Sequence, residues 1–355
     1  MINLNGQIMS KDKCIATVED GIIVSCDEQL LPLYLQNKRD VVTWLEERAI
    51  DSHRVNSRLL KKALRLTSYD DLQTVLSVHA VTITDTYWFR ETDSVLTYEE
   101  VRYKENYFDK LALFGDPDSF HRPSSKTPEL TNTGSFEKCW RLIDGKWWMY
   151  KNENELERFS ELFIYQLGCI LKFDMAHYEI EGQYVKTLDF TNGASVNFET
   201  IDALVEDGKN VYQDSFRVLY AISKEIAIQY LQLIYLDTIC NNVDRHTKNY
   251  GLLRDVETGI ILSLAPNYDN NIALIARGYL SSTKRTDDTL IDFFIEFLNK
   301  NETAKALFHE LSILRIVEKN ILDCLDSIPI EVDHGYITEF ILNGQSRIFE
   351  ALSIG

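Results

Sequence analysis

Residues 241–269 read NNVDRHTKNYGLLRDVETGIILSLAPNYD. Within six positions this stretch sets Asp244, His246, Lys248 and Asn249, and a second acidic side chain follows at Asp269. Just upstream runs an apolar segment, Phe216 to Cys240, which reads as a core helix because apolar residues fall on most of its faces. Ile260 to Leu264 reads as a strand, and Pro266-Asn267 then favours a turn that would present Asp269 back toward Asn249. A dense polar knot at the end of a buried helix predicts a loop held rigidly over a site.

These groups have a joint chemistry. A carboxylate such as Asp244 can accept or orient the proton of a hydroxyl. Asn249 offers an amide oxygen to a hard cation, and Asp269 offers a carboxylate to the same or a second cation. Mg²⁺ prefers such oxygens and keeps waters and substrate phosphates in its remaining positions. An Asp, an Asn five residues on and a distant Asp give the order of base, metal ligand and metal ligand found in phosphoryl-transfer sites. Each residue alone has an ordinary explanation, since Asp and Asn cap helices and make turns. The three in this order after a long apolar run are harder to explain so. A zinc site fits poorly, with one His and no nearby Cys pair. A Ser/His/Asp hydrolase also fits poorly, because no G-x-S-x-G elbow stands here.

DRHTKN followed by APNYD resembles the catalytic and metal-binding loops of the HipA-type serine/threonine kinases. DRHxxN is also similar to the phosphatidylinositol kinases, a related branch. The resemblance covers roughly residues 80 to 290. It implies Asp244 as the catalytic base, Asn249 and Asp269 as Mg²⁺ ligands, and His246 and Lys248 as residues that support the loop or touch the phosphate.

Residues 131–151, TNTGSFEKCWRLIDGKWWMYK, are the second informative stretch. A small-residue turn, Thr131 to Ser135, precedes a strand; Asp144-Gly145 makes a tight turn, and Trp147 to Lys151 forms a second strand. Such an opening turn can lay backbone N–H groups against phosphate oxygens. Lys151, at the strand end, can reach them as a point charge. With one Gly in the turn, an ordinary hairpin explains the stretch equally well by itself. The chain order adds weight: loop, strand Lys, helix Glu, catalytic loop, metal Asp. In HipA-type kinases the loop resembles small-x-small-Gly followed by Glu-Lys, which Thr131, Thr133, Gly134, Glu137 and Lys138 match. The resemblance implies that Thr131, Thr133, Gly134, Ser135, Lys151 and Glu161 serve the nucleotide. It also implies Thr131 or Thr133 as an autophosphorylation acceptor whose modification ejects the loop. Glu153 to Leu171 reads as a helix with Leu156, Phe159, Phe163, Leu167 and Ile170 in one stripe. Glu161 lies off that stripe and is expected to be free to pair with Lys151, a role that rests on the family's helix Glu.

Composition bounds the rest. The chain has 355 residues, enough for two lobes, and 45% hydrophobic residues, ordinary for a globular protein. No apolar run of about 18 residues lacks charge, so no membrane span is expected. MINLNGQIMSKDKC lacks an apolar signal core. Cys14, Cys26, Cys139, Cys169, Cys240 and Cys324 are scattered without CxxC spacing, which favours reduced thiols and a cytoplasmic protein. A net charge of −18 argues against direct nucleic-acid binding and fits a basic partner or plain solubility.

Along the chain, short strands are expected before residue 30, with a turn at Asp20-Gly21, and a helix from Asp40 to Arg48 capped by Asp40. Arg54 to Arg65 reads as a solvated amphipathic helix, with a phosphate or partner face as the alternative. Val78 to Phe89 reads as a strand, Gly115 to Pro128 as a linker, and Tyr178 to Phe190 as strands broken at Glu181-Gly182. Asp214 to Asn241 reads as one long helix, followed by helices over Thr286 to Asn299, Glu302 to Leu314, Val317 to Leu325 and Tyr336 to Leu352. The class is α+β, and the resemblance implies a bilobal protein-kinase-like fold with a strand-rich N-lobe and an all-helical C-lobe. Residues 1–125 would form an N-terminal α+β region of the N-lobe, 126–190 its ATP-binding core and 191–355 the helical catalytic lobe. The implied activity is transfer of the γ-phosphate of ATP, held with Mg²⁺ between the lobes, to Ser or Thr of a protein substrate. Such kinases often act as toxins beside a helix-turn-helix antitoxin. Alternatives are a lipid or small-molecule phosphotransferase, a catalytically silent binding module and a metal-dependent hydrolase.

Overall fold

The alternation near the start of the chain pairs into strands. β1 (Gly6–Ser10), β2 (Lys13–Glu19) and β3 (Ile22–Cys26) are antiparallel neighbours. Asp20 and Gly21 make the β2–β3 turn, both at positive φ (49° and 80°). Helices α1 (Leu33–Lys38), α2 (Val41–Glu46), α3 (Ser57–Ala63) and α4 (Asp71–Leu76) follow. The Asp40 carboxylate accepts the Thr43 N–H at 3.0 Å and so caps α2 as expected. β4 (Tyr87–Glu91) completes the sheet in the order β3-β2-β1-β4, and the short helices α5 (Tyr98–Val101) and α6 (Asp109–Phe114) come next. The computed structural model describes residues 4–353 other than 53, 55, 67–69, 117–125, 135 and 312. Ser135 and most of the stretch read as a linker lie outside the described residues.

One expectation in this region fails and another holds only in part. Val78 to Phe89 is not one strand, because His79 and Ala80 take left-handed conformations (φ 57° and 58°) and only Tyr87 onward pairs. Val78, Val81 and Ile83 are buried in the core instead, and an apolar run does not say which kind of burial it will have. The basic stretch around α3 is solvated only in part, with Arg58, Lys62 and Arg65 exposed as expected. Arg54 and Lys61 are 1% and 3% exposed, paired to Glu129 at 3.3 Å and to Asp71 at 3.2 Å. Their carboxylate partners stand on other segments, which sequence periodicity does not report.

β5 (Lys138–Ile143) and β6 (Lys146–Lys151) form the expected hairpin, turned by Asp144 and Gly145 at φ 50° and 77°. They belong to a four-stranded sheet, β5-β6-β8-β7, with β7 (Tyr178–Glu181) and β8 (Tyr184–Leu188). A third sheet has the order β11-β10-β9, made by β9 (Val196–Thr200), β10 (Gly251–Asp255) and β11 (Ile261–Leu264). β10 is a strand the sequence did not set apart.

The chain divides into two compact units, interleaved in sequence: residues 1–152, 180–199 and 252–262, and residues 153–179, 200–251 and 263–355. The first is strand-rich. One of its apolar cores gathers Ile8, Val18, Leu31, Trp44 and Phe89, and another gathers Trp88, Phe108, Leu130, Trp140 and Tyr150. The second is helical: α7 (Glu155–Ile170), α8 (Val211–Ile222), α9 (Lys224–Cys240), α10 (Thr289–Lys300), α11 (Glu302–Glu310), α12 (Glu318–Asp326) and α13 (His334–Leu352). Asp214 to Asn241 is thus two helices. Ser223 sits extended between them (φ −160°, ψ 153°), and its hydroxyl accepts the Ile226 N–H at 3.1 Å to cap α9. α9 buries Ile226, Tyr230, Leu231, Ile234, Tyr235 and Ile239, each at 2% exposure or less. At ~1.5–3 kcal/mol per buried large apolar side chain, this helix is the axis of its unit. No described helix is long and apolar enough to cross a membrane.

Candidate active site

The quoted motif leaves the buried end of α9. Asn241 turns the chain there in a left-handed conformation (φ 52°). Asn242 then fixes the direction: its Nδ2 donates to Asp237 Oδ1 at 2.9 Å, and its Oδ1 accepts the Asp244 N–H at 3.2 Å. The loop closes on itself as His246 N–H donates to the Asp244 carbonyl (2.9 Å) and Asn249 N–H to the His246 carbonyl (2.8 Å). Thr247 anchors it from outside, with its N–H and hydroxyl both on the Asp207 carboxylate at 2.9 Å. Asp244 is half-buried. His246 and Lys248 are exposed; His246 Nδ1 accepts the Lys248 N–H at 3.2 Å, and Lys248 Nζ lies 3.8 Å from Asp202.

The second loop, after β11, is held just as firmly. Asn267 N–H donates to the Asp174 carbonyl, and Ala176 N–H to the Asn267 carbonyl, each at 2.9 Å. Asp269 takes a left-handed conformation (φ 60°), which Asp tolerates better than most residues. Its N–H donates to the Tyr178 hydroxyl at 2.9 Å. The next N–H, of Asn270, donates to Glu161 Oε2 at 2.8 Å. Glu161 is therefore not on a solvent-facing side of α7; it is 0% exposed. The apolar stripe marks only part of the buried surface, because α7 packs against both α9 and α12.

Sequence reading passed over Arg245, inside the motif itself. Its side chain is 3% exposed and ties both loops to α9. Nε and Nη2 donate to the two oxygens of Asp237 at 2.8 and 3.0 Å. Nη1 donates to the carbonyls of Asn249 (2.5 Å) and Tyr268 (2.6 Å), and Nη2 to Oδ1 of Asn267 and of Asn270, both at 2.8 Å. Burial works against this charge, but the Asp237 carboxylate outweighs it and holds the guanidinium above its ordinary pKa. A charged residue among Asp, Asn and His looks exposed in sequence, and no local signal marks it otherwise.

The donor set suits one kind of cation. Asn249 Nδ2 donates to the Asp244 carbonyl at 3.0 Å, which leaves the amide oxygen as the acceptor for a metal. Among the described residues no group of three or more His, Cys, Asp or Glu could hold a metal. A cation here would thus have two protein oxygens, from Asn249 and Asp269, with phosphates and water in its other positions. That fits Mg²⁺ and not zinc.

In the strand-rich unit, Lys151 ends β6 opposite Lys138 of β5 and Val185 of β8, and is 7% exposed. The turn before β5 lies close to Lys138. Gly134 has φ 98°, and a Cβ there would stand 2.5 Å from Lys138 Nζ. Thr133 and Gly134 are exposed. Thr131 is buried, and its hydroxyl donates to the Val81 carbonyl at 2.6 Å. The base of this turn is a buried polar network. Glu129 accepts the Trp140 N–H (2.7 Å) and the Asn106 and Asn132 amides (2.8 and 3.0 Å), while Arg54 donates to the Asn132 and Lys138 carbonyls. Burial pushes the Glu129 carboxyl up against the opposing charge of Arg54. At the other end of β6 opens a cleft of about 600 Å³ lined by Tyr103, Trp147, Leu188, Asp189 and Phe190. Trp147 and Lys151 share one face of β6, four residues or about 13 Å apart at ~3.3 Å per residue.

No protein-family model matches the chain, and no curated protein matches it in sequence. Solved structures do. HipA of Shewanella oneidensis MR-1, from the complex of that toxin–antitoxin system with HipB and operator DNA, aligns over 97% of this chain and 97% of its own, with TM-score 0.63 and 13% identity. The proinflammatory kinase CtkA of Helicobacter pylori aligns over 61% of this chain and 92% of its own, with TM-score 0.44 and 16% identity. At such identities the likeness is one of architecture: the chain has the HipA-like, bilobal kinase fold, α+β in class.

Proposed function

We propose that the protein is a HipA-like kinase that transfers the γ-phosphate of ATP to Ser or Thr of a protein substrate. One observation carries this reading: the loops bearing Asp244, Asn249 and Asp269 are joined through a single buried arginine into one rigid piece. Phosphoryl transfer depends on positioning and charge neutralisation more than on covalent chemistry, and rigidity of this kind serves both.

In this reading Asp244 accepts the proton of the acceptor hydroxyl. Asn249 and Asp269 would hold Mg²⁺, which when bound neutralises charge on the phosphates. Lys151 would meet the phosphates as a point charge, and the backbone of Thr133 and Gly134 would line them from the turn before β5. The cleft at Trp147, at the far end of β6 from Lys151, would take the base of the nucleotide. His246 and Lys248, both exposed, would contact phosphate or acceptor in this reading. Thr133 is favoured over Thr131 as the autophosphorylation acceptor, since the Thr131 hydroxyl is already engaged by a buried carbonyl. We also propose a helix-turn-helix antitoxin partner and a cytoplasmic location; the likeness to HipA, which was solved with HipB, supports the first.

The test is incubation of the purified protein with radiolabelled ATP and Mg²⁺ against protein and lipid extracts, then a mass-spectrometric phosphosite map. Label on Ser or Thr of protein is expected, and its loss in Asp244→Ala. Label only in lipid, or free phosphate with no labelled acceptor, overturns the proposal.

A further inference from the structure

We infer that Arg245 is a positioning residue that sets the spacing of the two metal ligands, and the inference rests on the kinase reading above. The geometry is specific. One nitrogen, Nη1, donates to the carbonyl of Asn249 and to the carbonyl of Tyr268, the residue just before Asp269. The other, Nη2, donates to the side-chain oxygens of Asn267 and Asn270, which bracket Asp269. The chain on both sides of one ligand and the backbone of the other are thus referred to a single planar group. That group is oriented in turn by the two Asp237 oxygens at the end of α9.

A second observation points the same way. Asn267 and Asn270 are 4% and 0% exposed, and the Nδ2 of each has no hydrogen-bond partner among the described residues. Both amides give their oxygen to Arg245 and leave their NH₂ buried without an acceptor. Buried polar groups are nearly always satisfied, and exceptions gather where a constraint other than stability has fixed the arrangement. Here that constraint is the facing of two oxygens toward one guanidinium, with the Asp269 loop held between them.

A lysine could keep the charge and the pairing with Asp237, but its one nitrogen cannot reproduce a planar fork. Arg245→Lys therefore separates charge from geometry. The experiment uses the full chain, with melting curves to register folding, Mg²⁺ titrations of ATP turnover, and binding of a fluorescent ATP analogue with and without Mg²⁺. For Arg245→Lys we expect nucleotide binding without Mg²⁺ to be unchanged and half-saturating Mg²⁺ to rise tenfold or more. We expect kcat to fall on the order of 10²-fold, the usual effect of a misplacement of ~1 Å. Asn267→Ala removes one tie and keeps the ion pair; a smaller shift in the same direction is expected, and this variant decides if Arg245→Lys does not fold. Unchanged Mg²⁺ dependence in the folded variants, whatever their melting temperature, shows Arg245 to be merely structural and overturns the inference alone. A wild-type chain with neither turnover nor Mg²⁺-dependent nucleotide binding overturns the kinase reading and this inference with it.

Discussion

The Asn270 N–H donates to the buried carboxylate of Glu161 at 2.8 Å, so α7 and the loop carrying Asp269 share a hydrogen bond inside the helical unit. Glu161 thereby has a structural duty besides any duty toward nucleotide. Glu161→Ala leaves a buried N–H without a partner and is expected to lower stability by ~1–3 kcal/mol. Glu161→Gln keeps an acceptor oxygen and should cost clearly less. Denaturant melts of the two variants check this, and equal losses would mean that the bond carries no weight.

Asp244→Ala is expected to reduce phosphoryl transfer by ~10²–10⁴-fold, the usual contribution of a positioned base, and to leave ATP affinity within a few-fold of wild type. Asp269→Ala should instead weaken the Mg²⁺-dependent part of nucleotide binding. Turnover and nucleotide titrations on both variants distinguish the roles, and an exchange of the two phenotypes would require the assignments to be reversed.

Thr131 and Thr133 differ by two positions and should behave in opposite ways. Thr133→Ala is expected to remove the loop phosphosite with little change in stability, since Thr133 is exposed. Thr131→Ala should retain the phosphosite and lose ~1 kcal/mol or more, because the Val81 carbonyl loses its buried donor. Phosphosite mapping beside thermal melts decides, and phosphate found on Thr131 would contradict the assignment.

Chelation of divalent metal should stop transfer and leave the melting temperature of the nucleotide-free protein unchanged. The reason is the sparse ligand set proposed above: Asn249 and Asp269 would give a cation two protein oxygens, with phosphates and water in its other positions. A melting temperature that falls with EDTA would point to a structural metal.

Removal of the Ser223 hydroxyl should be felt along α9. Ser223→Ala deletes the oxygen that accepts the Ile226 N–H, for an expected loss of ~0.5–2 kcal/mol. A denaturant midpoint unchanged from wild type would show that water replaces the cap fully.

Local chemistry was legible in the sequence and distant pairing was not. Asp144-Gly145 announced its hairpin because a two-residue turn must reach positive φ with residues that tolerate it. The order of Asp244, Asn249 and Asp269 was legible for the same reason, since turns and side-chain types are written in neighbouring letters. Arg245 was passed over and the depth at which Glu161 is buried went unseen, because both depend on Asp237, Asn267 and the Asn270 N–H, up to 109 residues away along the chain. Ser223 was read as helix interior because a cap is defined by its backbone angles, and an apolar run on both sides of a serine does not reveal them. Val78 to Phe89 failed similarly: β-branched residues fill a core loop as readily as a strand.

The threading of the strand-rich unit bears on biosynthesis. Its second and third segments, residues 180–199 and 252–262, emerge only after the chain has run through parts of the helical unit. A ribosome therefore cannot deliver this unit as a finished piece and then begin the next. When residue 152 appears, the edge of β6 still waits for β8, which ends at residue 188, and β9 in turn waits for β10 until residue 255 has been translated. Unpaired edges in a nascent chain are sites of misassembly, so the protein should lean on chaperones during synthesis more than a chain with two consecutive domains of the same length.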